Sequence, residues 1–186
     1  MKSLPRLAFG IGILAASSAA PAQDQATTRL TITEKDDAYD LAVPVSRLVL
    51  TIPKGRLVST KPGAGSESPR YFHFEDRETG LVASGWFEPE GAFRGMEEFW
   101  AGERASMTRQ GLDPQNVAEE HVGKWNAVFY DLGVPGGRSA NVRAEWVQAG
   151  TWIDLHVSLT ADQPADTMRS RLREFVTPLR VVEKSQ

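Results

Sequence analysis

The residues of this chain best suited to chemistry lie near its C-terminal end: Arg143, Glu145, Trp152, Asp154 and His156. They occupy alternate positions on two short segments that meet at Ala149-Gly150. If the segments are strands joined by a tight turn there, all five side chains point to one face. That turn sets Trp146 opposite Ile153, Ala144 opposite Leu155 and Val142 opposite Val157, which gathers the apolar residues on the other face. A slip of one residue would mix the faces, so the pattern itself selects the register. On the polar face Arg143 lies opposite His156, Glu145 opposite Asp154, Val147 opposite Trp152 and Asn141 opposite Ser158.

Facing carboxylates repel by some tenths of a kcal/mol up to ~1 kcal/mol, and Arg143 and His156 are placed diagonally to compensate. The expected surface is a solvated, self-neutralising sheet face. On such a face Asp154→Asn shifts stability by less than about 0.5 kcal/mol. The functional form of the face is a contact patch for a partner, formed by Arg143, Glu145, Trp152, Asp154 and His156. An acid–base role is the alternative, because paired carboxylates push their pKa values apart, although no nucleophile or oxyanion hole accompanies them.

Other chemistry is excluded more firmly. There is no cysteine among the 186 residues, which removes thiol catalysis, thiolate metal sites and disulfides. The histidines, His73, His121 and His156, fall in separate segments, whereas a zinc site needs three or four converging ligands. No metal and no cofactor are expected. The Gly-x-Ser-x-Gly elbow, the His-Glu-x-x-His motif and the glycine-rich nucleotide loops are all missing. A net charge of −3 without a Lys/Arg block argues against nucleic acid as a partner.

The elements that must position the polar face follow from periodicity. Met1 to Ala22 has the form of a cleavable signal peptide: Lys2 and Arg6, an apolar run from Leu7 to Ala16, and the small residues Ala20-Pro21-Ala22. This form predicts a periplasmic or secreted protein with no membrane anchor after cleavage. Residues 23–38 read as a polar leader with one weak edge strand, and residues 39–186 as a single α+β domain. Leu48 to Ile52 reads as a strand closed by Pro53-Lys54-Gly55, and Thr60 to Pro69 as a surface loop. Tyr71 to Asp76 and Leu81 to Phe87 form a hairpin. Phe93 to Gln110 takes helical spacing and stops at Gly111. Strands follow at Lys124 to Gly133, Ala140 to Gln148 and Thr151 to Thr160, then a helix striped by Met168, Leu172, Phe175 and Val176, and a short strand from Leu179 to Val182. Trp100, Trp125 and Trp146 belong to the core, while Trp86 and Trp152 are open to either reading.

Tight turns make neighbouring strands antiparallel, so the expected fold is one antiparallel sheet flanked by helices. Three stretches carry a family likeness: Val43-Pro44-Val45 running to Ile52-Pro53-Lys54-Gly55, the hairpin at Gly150 leading into Trp152-Ile153-Asp154-Leu155-His156, and the helix closing from Phe175 to Val181. From about Tyr39 to Val182 the order resembles the PsbP-like α/β/α sandwich of DcrB-type bacterial envelope proteins. The resemblance implies a non-enzymatic binding or assembly role and supplies no catalytic residues. The reading is an exported binding or adaptor domain that engages a protein partner in the envelope, an inhibitor or immunity protein being one version. The alternative is a hydrolase or lyase using Glu145, Asp154 and His156.

Overall fold

Alternating apolar and polar residues write about half of the described residues into strands. The computed structural model describes residues 29–43, 46–60, 69–135 and 137–184, so the expected signal peptide and most of the expected Thr60 to Pro69 loop lie outside the described residues. The strands are β1 (Thr31–Glu34), β2 (Ala38–Ala42), β3 (Leu48–Pro53), β4 (Val58–Ser59), β5 (Tyr71–Asp76) and β6 (Leu81–Pro89), then β7 (Gln115–Val122), β8 (Trp125–Val134), β9 (Gly137–Gln148), β10 (Thr151–Thr160) and β11 (Arg180–Glu183). Helix α1 (Met96–Arg109) falls between β6 and β7, preceded by a 3-10 turn at Glu90–Ala92, and α2 (Ala165–Val176) falls between β10 and β11.

These strands do not make one sheet. They form a four-stranded sheet, β1-β2-β3-β11, and a seven-stranded sheet, β4-β5-β6-β10-β9-β8-β7, with every pairing antiparallel. The expected helix-flanked α/β/α sandwich is therefore incorrect: the fold is dominated by strand, and a second sheet covers much of the face assigned to helices. Turn chemistry shows which neighbours pair but not which sheet a strand joins. Here β11 returns across the molecule to β3, with Val181 opposite Leu50, and so joins the small sheet that β1, β2 and β3 form.

One core lies between the sheets. Tyr39, Leu41, Leu50 and Ile52 from the small sheet meet Phe72, Phe74, Phe129, Val142 and Leu155 from the large one. The Tyr39 and Phe74 rings stand 4.8 Å apart across the gap, and the Tyr39 hydroxyl donates to the Leu57 carbonyl. Helix α2 packs into the same core through Met168, Leu172 and Val176, spaced four apart to form one stripe. Gly85 of β6 is required there, because a Cβ would come within 2.2 Å of the Asp154 carbonyl oxygen and 2.7 Å of the Phe72 ring.

Helix α1 takes the opposite, outer face of the large sheet. Trp100 and Met107 pack on Val128 and Tyr130 of β8 as a smaller cluster, and Trp100 stacks 5.1 Å from Tyr130. Glu97 and Glu98 in its first turn and Arg109 in its last complement the helix dipole, and Gly111 at φ 75° ends it. Among the described residues no helix is long and apolar enough to cross a membrane.

Candidate functional site

The β9/β10 hairpin has the register that its sequence selects. Arg143 pairs with His156, Glu145 with Asp154, Val147 with Trp152 and Asn141 with Ser158. Its two-residue turn places Ala149 at φ 51° and Gly150 at φ 78°, the left-handed pair that matches strand twist. On the inner face Val142, Ala144, Ile153, Leu155 and Val157 are fully buried.

The outer face differs from its expected form. It is not solvated: Glu145 is 0 % exposed, Asp154 6 % and Arg143 7 %. The first turns of α1 and the segment before it cover this part of the sheet. The 3-10 turn is tied to the hairpin tip, since the Gly150 N–H donates to Glu90 Oε2 and the Glu90 N–H donates to the Gly150 carbonyl. That tie delivers Phe93 to within 5.3 Å of the Trp152 ring, while Phe99 of α1 meets the same indole edge-on at 5.9 Å.

Arg143 is the internal cation of this layer. Its guanidinium donates to Asp154 Oδ2 at 2.8 Å, lies 3.6 Å from Glu103 of α1 and sits 5.1 Å over the Phe99 ring. The Trp152 indole N–H donates to Glu145 Oε2. Burial, reinforced by the neighbouring Asp154, pushes the Glu145 carboxyl well above the usual carboxylate range. Burial also raises Asp154 to about 6 against the opposing pull of Arg143. Glu145 Oε1 and Asp154 Oδ1 are both buried without a hydrogen-bond partner, and the two side chains are within bonding reach of each other. One proton on Glu145, donated to Asp154, relieves the repulsion and supplies the donor that both oxygens lack.

His156 does not join the carboxylates. It stands one rung away beside Arg143, and its Nε2 bonds to Asn141 Oδ1 at 3.3 Å, an orientation that makes the ring nitrogen the donor. Burial and the Arg143 charge both hold its pKa down, so the imidazole is neutral. Glu145, Asp154, Arg143 and Trp152 thus form one cluster, with His156 at its margin. Among the described residues no three His, Asp or Glu side chains converge to hold a metal ion.

Beside the cluster an open cleft of about 310 Å³ runs between α1 and the hairpin, with Asp154 and Trp152 on its floor and Phe93, Phe99, Glu98 and Glu103 along its walls. Sequence reasoning missed those wall residues. Phe99 and Glu103 lie four apart on α1, beside the Trp100 and Met107 stripe, and that spacing was the available signal that a second helical face is occupied.

No family model matches the chain, and no curated protein is similar to it. Among solved structures, a crystal structure from Bacteroides thetaiotaomicron VPI-5482 aligns over 75% of this chain with 8% sequence identity and a TM-score of 0.42. The alignment covers 46% of that protein, so the present chain spans about half its length.

Proposed function

We propose that this chain is an exported binding domain that engages a protein partner in the cell envelope through the cleft between α1 and the β9/β10 hairpin. An inhibitor or immunity protein that shields its own cell is one form of that role. The observation that carries the reading is the cleft itself: an open, aromatic-walled recess with the Asp154 carboxylate on its floor. Its lining holds no serine, threonine, lysine or histidine, so no nucleophile faces the space apart from carboxylates. The test is affinity purification of the tagged protein from its native envelope, alongside Glu98→Lys at the exposed rim. A partner whose recovery drops roughly tenfold with the variant supports the reading. Equal recovery with both forms overturns it.

A second reading has one specific observation in its favour. Asp154, held near pH 6 at the floor of a cleft and backed by Glu145, is poised to exchange a proton with a bound substrate. It requires a turnover that rises as Asp154 ionises through about pH 6 and vanishes in Asp154→Asn. Unchanged turnover in that variant would exclude it.

A further inference from the structure

We infer that the cleft takes a cationic amine, an alkylammonium group seated against Trp152 and Phe93 beside the Asp154 carboxylate. The inference rests on the binding reading and names the chemistry of what is bound. Charge balance is its first support. Among the described residues Glu103, Glu145 and Asp154 surround one internal cation, Arg143, and Glu98 adds an acid at the rim against the exposed Arg94. Even with one proton on Glu145 the layer keeps an excess of negative charge toward the cleft.

The rings provide the second support. Cations are attracted to aromatic faces, and this site already holds one in that manner, the Arg143 guanidinium over Phe99. Trp152 stands between Phe93 and Phe99, and its donated N–H locks the indole plane against Glu145. The remaining aromatic surface, from Trp152 and Phe93, borders the open space. Asp154 narrows the choice of cation. Its Oδ2 is occupied by Arg143 and its Oδ1 is buried beside Glu145, so the carboxylate offers no free pair of oxygens to a guanidinium fork and acts on an ammonium through its charge.

Gly102 adds a third. It lies inside α1, where glycine weakens a helix, and a Cβ at this position would meet nothing within 4 Å. Packing therefore does not demand glycine. Its missing side chain keeps the cleft wall open.

The amine could belong to a small molecule or to a lysine of the protein partner, and the experiment separates these sources. The whole chain is titrated by NMR with n-butylammonium, with n-butanol as the neutral match, and with a short lysine peptide beside its Lys→Gln version. Saturable shifts of the Trp152 indole N–H are expected with butylammonium, with butanol weaker by roughly tenfold. Gly102→Leu should fill the cleft and weaken butylammonium by a similar factor, roughly tenfold, with an unfolding midpoint equal to or above that of the parent. Equal binding of butanol and butylammonium overturns the inference, and so does unchanged binding in Gly102→Leu. If the free amine binds and the lysine peptide binds no tighter than its Gln version, the cation site stands while the protein-partner reading loses its support. If no amine binds, the cation site falls while the purification test of the partner reading is unaffected.

Discussion

At the scale of single residues, Glu145→Gln tests the shared proton most directly. Glutamine keeps the shape and the acceptor for the Trp152 indole, and its amide supplies permanently the donor that Asp154 otherwise receives from a protonated Glu145. At pH 8, where the wild-type pair must either hold its proton or repel, the variant should be more stable by about 1–2 kcal/mol in urea unfolding. Asp154→Asn should do the opposite. It removes the carboxylate that anchors a nearly buried Arg143, and such a loss costs about 2–4 kcal/mol even with Glu145 near enough to take over part of the charge. That figure replaces the shift of under about 0.5 kcal/mol expected for a solvated face. An unfolding free energy within 0.5 kcal/mol of wild type for Asp154→Asn would show that the face is wet after all. The residues of this cluster were legible in the sequence as alternate positions, but their burial was not. Alternation reveals which side chains share a face, whereas the cover over that face comes from α1, which precedes the hairpin by two intervening strands along the chain.

At the scale of elements, the hairpin shows how far local pattern reaches. Its register was readable because a two-residue turn fixes the pairing and an unbroken apolar face leaves one alignment free of mixed faces. Leu155→Ala, on that apolar face and fully buried, should lower stability by about 2–5 kcal/mol. The turn carries a small strain that can be removed. Ala149 adopts φ 51°, a conformation that penalises a Cβ, so Ala149→Gly should raise the thermal midpoint and add about 0.5–1 kcal/mol, after the extra freedom glycine gives the unfolded chain is deducted. A lower midpoint would mean that Ala149 makes contacts worth more than its strain. Strands without such punctuation were harder to read. β7 went unrecognised because its residues are mostly exposed, Glu119 and His121 among them, and a bulge between Gln115 and Ala118 interrupts the pairing with β8. That β11 joins the small sheet depends on its finding β3, a contact between distant parts of the chain that no local periodicity encodes.

At the scale of the whole molecule, the buried cluster should govern how stability varies with pH. Asp154 and Glu145 have folded pKa values above their unfolded ones, Asp154 at about 6. The folded state therefore binds the extra protons, and the contribution of this pair is fully present below about pH 4 and is lost as pH rises through the folded values. His156 works in the other direction: its folded pKa is depressed, so its contribution is present above about pH 6.5 and is lost as pH falls. Between about pH 4.5 and 6 the His156 and Asp154 contributions oppose and largely cancel, and Glu145 sets the slope. Above about pH 6.5 His156 is silent, and Glu145 alone weakens the fold with rising pH, by up to about 1.4 kcal/mol per unit, until its own raised pKa is passed. Two lowered carboxyls shape the acid limit instead. Asp40 is held down by its hydrogen bond from Lys35, and Asp76, despite the upward push of burial, by bonds from Thr79 and Glu78; both lose stability only as pH falls toward and below their ordinary values near 3.8. Urea unfolding measured from pH 5 to pH 8.5 should thus show wild-type stability declining toward the alkaline end. In Glu145→Gln the decline above pH 6.5 should vanish, because no group in the cluster then exchanges a proton between the folded and unfolded states in that range. The same alkaline slope in both proteins would place its origin outside this cluster and remove the shared proton from the site.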